Sequence, residues 1–280
     1  MEKNYKEIVS VVDSELIGVD KIISEDVFYP TEDLNNFLFS SGKKIRSVLA
    51  FLFLKMFGCE INSSQINLQA AVELAHNASL IHDDIIDMSK IRRKSETFEV
   101  KFDTKTAVMT GDYILSLAFK KLLKTENSEI LKEFVETFSH MAYGEINQYF
   151  ERSKIPALES YIEKTINKTA KLFETGLKSS AILAGENAML WGDFGLNFGT
   201  AFQIKNDLEN LSGDNSDINN GIYTAPVIFS GSVDVSADGI HKTKLLINNY
   251  INICREILQK CPQNEYRQAL FNILELYEND

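Results

Sequence analysis

The chain has 280 residues, with 29 Lys plus Arg against 40 Asp plus Glu and a formal net charge of -11, which argues against a general binder of nucleic acid or of anionic membrane, since either wants a basic face. A hydrophobic fraction of 44% with 25% charged residues is that of a globular chain with a core to bury, not of a disordered or fibrous one. Only 4 Pro and 14 Gly occur, fewer than the roughly 5% and 7% usual for these residues, so long helices are expected.

In chain order, apolar periodicity predicts helices at about 5–24, 33–57, 63–88, 104–124, 128–152, 158–183, 187–212, 240–260 and 263–278. Pro30, Pro156, Pro226 and Pro262 fall between these stretches, as suits a residue that removes a helical hydrogen bond. Thr31 with Glu32 and Asp33, and Thr104 before an apolar run, read as N-terminal caps. The segment Ile222 to Phe229 is β-rich but contains Pro226, so it reads as loop or helix start. No Gly/Ser-rich or Pro-rich linker divides the chain, which reads as a single domain over 1–280.

The cysteines, Cys59, Cys254 and Cys261, are odd in number and lack metal-type spacing, so neither a disulfide framework nor a zinc site is indicated and a reducing cytoplasm is expected. The N-terminal residues lack the apolar region of a signal peptide. The most apolar stretch, Val48 to Phe57, is broken by Lys55 and falls short of the ~20 residues that cross a bilayer. No transmembrane segment is expected.

The sharpest chemical feature is Asp83-Asp84-Ile85-Ile86-Asp87, at the end of an apolar-periodic run. Asp83 and Asp87 share a helix face and Asp84 lies on the neighbouring row. Crowded carboxylates destabilise a helix unless compensated, and an acidic last turn opposes the helix dipole. Oxygen ligands of this kind suit Mg²⁺, which bridges carboxylates to substrate phosphates; a solvated acidic helix end is the alternative. His76, two turns earlier, shares this face. The basic clusters Lys43-Lys44-Ile45-Arg46 and Lys90-Ile91-Arg92-Arg93-Lys94 suggest a polyphosphate substrate held by cations and metal, although each alone also reads as a solvated face. Gly42-Lys43 lacks the rest of a P-loop, no G-x-G-x-x-G follows a strand, and no nucleophile motif supports hydrolase chemistry. A second polar row, Gln203, Asp207 and Asn210 at i, i+4 and i+7, interrupts an apolar helix. It reads either as a partner of the first carboxylates or as a solvent-facing stripe.

Taken in order, these residues resemble the trans-isoprenyl diphosphate synthase (polyprenyl synthetase) family along nearly the whole chain. Ser41-Gly42-Lys43-Lys44-Ile45-Arg46 is similar to its G-G-K-R-x-R segment, Leu80 to Asp87 to its first Asp-rich motif, and Arg92-Arg93 to the paired arginines behind it. Gly111-Asp112-Tyr113, Gly144-Glu145, Lys168-Thr169, Phe202-Gln203 and Ser216-Asp217 come next in family order. The resemblance implies an all-α bundle around a central cavity, usually a homodimer, with two Asp-rich helices facing each other. It implies that Lys43, Arg46, His76 and Arg93 bind isopentenyl diphosphate, and that Arg92, Lys168, Thr169 and Gln203 hold an allylic prenyl diphosphate. Asp83 and Asp87 would ligate Mg²⁺ with Asp84 in support, and Asp207 with Asn206 would form the second metal contact. That second motif reads Asn206-Asp207-Leu208-Glu209-Asn210 where the family has D-D-x-x-D, so it supplies less charge to a metal. The implied reaction is metal-assisted ionisation of the allylic substrate and attack by the isopentenyl double bond, with catalysis resting on Asp83, Asp84, Asp87 and Lys168. Competing expectations are a weakly catalytic or non-catalytic subunit of a heteromeric synthase and, from Asn206, Asn210 and Asp214 at i, i+4 and i+8, a terpene cyclase.

The short gap within the first Asp-rich motif resembles longer-chain members, and Ala78 and Ser79, one turn before Asp83, are small. A deep tunnel and a long product are expected. Phe at either position should shorten the product, as read by chromatography of extracted products; an unchanged distribution would sink the idea.

Overall fold

Few helix breakers in the sequence become helix after helix in the computed structural model, which describes residues 2–26, 42–92, 95–150, 152–211, 218 and 220–278. In chain order these are α1 (Glu2–Val9), a 3₁₀ turn (Ser10–Val12), α2 (Asp13–Asp26), α3 (Ile45–Met56), α4 (Ser63–Ile86), β1 (Ile91–Arg92), β2 (Ser95–Glu96), α5 (Phe98–Lys101), α6 (Thr104–Leu123), α7 (Ser128–Phe150), α8 (Leu158–Thr165), a π-helical segment (Ile166–Ala170), α9 (Lys171–Ala184), α10 (Ala188–Asn210), α11 (Ala225–Ser230), α12 (Ala237–Gln259) and α13 (Glu265–Tyr277). The two strands form a minimal antiparallel hairpin pairing Ile91 with Glu96 and Arg92 with Ser95. The fold is all-α, as expected.

Side-chain caps set several helix starts. The Asn62 side chain accepts from the N–H groups of Ser64 and Gln65 ahead of α4, and Asn187, Ser236 and Asn264 each accept a backbone N–H in the same way for α10, α12 and α13. Asp103, not Thr104, caps α6: its carboxylate accepts from Thr106 N–H at 2.6 Å. Gly185 and Gly231 end α9 and α11 in the left-handed conformation, with φ of 71° and 63°. Pro226 lies in the first turn of α11, where its missing N–H costs nothing, so the helix-start reading of Ile222 to Phe229 is the observed one.

Three expected helices are interrupted or shortened. Residues 5–24 are divided by the 3₁₀ turn at Ser10–Val12. Within the helix expected over 33–57, residues 42–44 are not helical, Lys44 having a φ of 44°, and α3 starts at Ile45; residues 33–41, together with the readings at Pro30, Thr31, Glu32, Asp33 and Ser41, lie outside the described residues. The helix expected over 158–183 changes hydrogen-bonding register at Ile166–Ala170. The four-residue α5 and six-residue α11 are too short for periodicity to reveal.

The chain divides into two compact units. One comprises Val11–Phe51 and Glu60–Leu131, and holds α2, α4 and α6 with the first part of α3. Its core includes Val19, Ile23, Val48, Leu49, Phe51, Leu68, Val72, Leu74, Ile114 and Ala118, each at most 3% exposed. Here Gly111 on α6 meets α4: a Cβ at that position would lie 2.2 Å from His82 Nε2.

The other unit comprises Met1–Ser10, Leu52–Cys59 and Lys132–Asp280. Its core is an aromatic row on α10, where Trp191, Phe194 and Phe198 are fully buried and Phe202 continues the row. Phe53 packs on Trp191 and Phe194 with centroids 5.1 and 4.8 Å apart, and Phe173 and Tyr277 close on Phe198 at 5.7 and 5.1 Å. Gly195 and Gly199, one turn apart, let another backbone approach α10. A Cβ at Gly195 would sit 2.6 Å from the Phe173 carbonyl oxygen, and one at Gly199 would sit 2.8 Å from Ala170 Cα. Neither obstacle is a side chain that can swing away. Gly199→Val is therefore expected to destabilise by at least about 1–3 kcal/mol, the usual cost of overpacking, seen as a lower denaturation midpoint; a midpoint equal to that of the parent would contradict this packing.

Candidate active site

The first carboxylate group ends α4, and the structure sorts its three members rather than crowding them. Asp84 turns inward, 3% exposed, and accepts a hydrogen bond from Arg92 Nε at 2.6 Å across the turn into the β1–β2 hairpin. Asp83 and Asp87 remain half-buried. Asp87 is the C-cap residue of α4, its N–H donating to the Asp83 and Ile85 carbonyls. Arg92, expected on an allylic diphosphate, thus holds Asp84. His76 is half-buried on the same helix. Ala78 is buried, and Ser79, half-buried, donates its hydroxyl to the His76 carbonyl at 2.9 Å.

Beside this motif, His82 Nε2 lies 3.4 Å from the Val108 carbonyl oxygen and 3.5 Å from Asp112 Oδ1. Gly111-Asp112 and Leu80 to Asp87 therefore meet through His82, whose place between them the spacing alone did not reveal. At the start of α3, Lys43 is exposed, Arg46 is 9% exposed, and Lys44 pairs with Asp20 of α2. The three cations of this cluster consequently have three different environments. Arg93, Lys94, Asp214, Ser216 and Asp217 lie outside the described residues.

The second group belongs to the other unit. Lys168 and Thr169 sit in the π-helical segment, a departure from α geometry that recurs at functional sites. The segment is held close: a Cβ on Gly144 of α7 would lie 3.2 Å from Lys168 N and 3.3 Å from Asn167 Cβ. Lys168 pairs with Glu145, the residue after that glycine. Thr169 donates its hydroxyl to Gln203 Oε1 at 3.0 Å, and Gln203 Nε2 donates to Asp207 Oδ1 at 2.7 Å. Tyr161 of α8 donates its hydroxyl to the other oxygen of Asp207 at 2.6 Å. The structure so brings Thr169, Gln203 and Asp207 together, with Lys168 next to Thr169 in the chain and paired with Glu145. Asn206 is half-buried, and Asn210 is exposed at the end of α10.

Tyr161 is the residue the sequence did not flag. It lies seven positions before Lys168, two helical turns, but a tyrosine at such spacing reads as ordinary core. Burial, then the Asp207 charge, push its phenol well above the ordinary value, so it stays a donor at working pH.

Among the described residues no group of three or more His, Cys, Asp and Glu side chains is gathered for a metal. Mg²⁺ fits the end of α4 nonetheless, because it is commonly held by one or two carboxylates while waters and substrate phosphates complete the shell. Asp83 and Asp87, hard oxygen donors one turn apart and half-buried, are such a pair. All three cysteines are free thiols, and no helix of the described residues is long and apolar enough to cross a membrane.

A sequence model of the family described as polyprenyl synthetase matches residues 31–249. Decaprenyl-diphosphate synthase of Dictyostelium discoideum is 29% identical over 267 residues, covering 83% of this chain and 58% of that protein. Octaprenyl diphosphate synthase of Escherichia coli is 30% identical over 241 residues, covering 80% of this chain and 74% of that protein. The chain thus spans little more than half of the first of these relatives and about three quarters of the second. Among solved structures, a decaprenyl diphosphate synthase from Rhodobacter capsulatus superposes with a TM-score of 0.88 over 98% of both chains at 22% identity, a likeness of fold. A geranyltranstransferase from Thermotoga maritima gives 0.76 at 28% identity over 95% of each chain.

Proposed function

The chain belongs to the polyprenyl synthetase family, and from that premise we propose that it is a trans-prenyltransferase that condenses isopentenyl diphosphate with an allylic prenyl diphosphate to make a longer trans-polyprenyl diphosphate. The observation that carries the reading is the extent of the family match: residues 31–249 take in every candidate residue, from Lys43 to Asn210. Relatives named as octaprenyl and decaprenyl diphosphate synthases support a long product.

In this reading Asp83 and Asp87 hold Mg²⁺, and Asp84, fixed by Arg92, keeps the end of α4 in place. When bound, the metal supplies positive charge against the departing diphosphate. Arg92, Lys168, Thr169 and Gln203 hold the allylic diphosphate, and the two cations stabilise the charge that grows on it as its C–O bond breaks. Lys43, Arg46, His76 and Arg93 hold isopentenyl diphosphate while its double bond forms the new C–C bond. The proton lost afterwards passes to the released diphosphate, so no side chain is assigned as general base. For Lys168 and Arg92, substrate must compete with the partners these side chains already have, Glu145 and Asp84.

The test is product analysis of the purified protein with Mg²⁺, labelled isopentenyl diphosphate and each of dimethylallyl, geranyl, farnesyl and geranylgeranyl diphosphate. Extension is expected, falling on the order of a hundredfold or more in Asp83→Ala, the scale of losing one transition-state electrostatic contact. No extension, with isopentenyl diphosphate still bound, would overturn the reading in favour of a partner subunit.

The proposal includes a homodimer and a cytoplasmic setting, the latter supported by the three free thiols. Val135, Tyr143, Ile146, Tyr149 and Phe150 of α7 are 50–75% exposed and lie toward one side of that helix, an apolar strip suited to a second copy of itself. Light scattering should show a dimer that Ile146→Glu weakens; a monomeric parent would remove this part of the proposal.

A further inference from the structure

Asp207 is 6% exposed, and each of its carboxylate oxygens receives a protein donor: Tyr161 hydroxyl at one, Gln203 Nε2 at the other. A carboxylate only accepts, so it dictates which way the Gln203 amide turns. The NH₂ end must face Asp207, and Oε1 then faces Thr169 and accepts from its hydroxyl. Donors therefore run from Thr169 to Gln203 to Asp207, and from Tyr161 to Asp207. The hydroxyl proton of Thr169 is used within the protein, while Gln203 Nε2 carries a second N–H. Asn206 and Asn210, the neighbouring positions of the row, carry no charge. The single charge of this row is thus engaged on both oxygens by protein donors, a poor arrangement for a metal ligand and a good one for orienting an amide.

We propose that Asp207 is a positioning residue and not a metal ligand: anchored by Tyr161, it fixes the Gln203 amide so that an N–H, rather than the carbonyl oxygen, meets the anionic oxygens of the allylic diphosphate. This rests on the prenyltransferase reading. In Asp207→Asn the amide can turn over, because an Asn side chain both donates and accepts, and Oε1 would then face the diphosphate.

The test compares Asp207→Asn, Tyr161→Phe and Gln203→Leu in the full chain. It measures steady-state kinetics and, separately, calorimetric uptake of Mg²⁺ in the presence of inorganic diphosphate. Asp207→Asn and Gln203→Leu are expected to raise KM for the allylic diphosphate by about tenfold, the scale of one charge-assisted hydrogen bond, and Tyr161→Phe to raise it in the same direction. The Mg²⁺ concentration at half-maximal rate and the number of Mg²⁺ ions taken up should stay at the parent's values. A lost Mg²⁺ equivalent or a raised Mg²⁺ requirement in Asp207→Asn, with Tyr161→Phe unaffected, would overturn the proposal. Gln203→Leu leaves Asp207 in place and serves if Asp207→Asn does not fold; an unchanged KM there would also overturn it. A parent protein without turnover would defeat the prenyltransferase reading alone, and calorimetry would still decide: weaker diphosphate binding with unchanged Mg²⁺ uptake supports the positioning role, and lost uptake refutes it.

Discussion

The close approach of the π segment and α9 to α10 is the constraint on which the second candidate group depends. Two glycines make it possible, because a methyl group at Gly195 would lie 2.6 Å from backbone and one at Gly199 would lie 2.8 Å from both the Ala170 backbone and the Phe173 ring. At that spacing, Thr169 can reach Gln203 directly and the Phe173 ring can close on Phe198 and Phe202. Packing and polar chemistry in this unit are therefore one problem. The aromatic row holds one side of α10 by dispersion and apolar burial, while the polar row on the same helix is satisfied by groups that this burial brings near.

Charge is arranged by pairing. The chain carries an excess of carboxylates, and several candidate cations are matched to one of them: Arg92 to Asp84, Lys168 to Glu145, and Lys44 to Asp20. Such pairing holds the side chains near the positions from which an anion could be bound, and binding then exchanges one negative partner for another.

Much of this architecture was legible in residue order and periodicity. Few Gly and Pro announced long helices, and α4, α6, α7 and α10 lie within a few residues of their expected bounds. The Asp83 region stood out as clustered carboxylates at the end of an apolar run and the Gln203 row as polar groups interrupting an apolar helix, while Lys168 was marked by the family resemblance. The features that escaped have local causes. Asp103 displaced Thr104 as cap because a carboxylate oxygen reached the third helical N–H. Lys44 took a left-handed conformation that propensity does not anticipate for lysine. Tyr161 was invisible because its role arises from a hydroxyl meeting a carboxylate 46 positions away. Asp84 parts from Asp83 and Asp87 because it continues the buried face of Asn77 and Ile81, where Arg92 meets it.

The π segment has a consequence for how this chain tolerates changes in length. A π turn holds about one residue more than the α turn it replaces, so Ile166–Ala170 behaves as a single-residue insertion absorbed without breaking the helix axis. Deleting one residue there would leave a backbone able to run on as regular α-helix, with α8 and α9 keeping the faces they present while the residues inside the segment change theirs. Lys168 and Thr169, inside the segment, owe to the extra residue the directions in which they reach Glu145 and Gln203. In this stretch the number of residues constrains the structure as much as their identity does, because it sets where two polar side chains point.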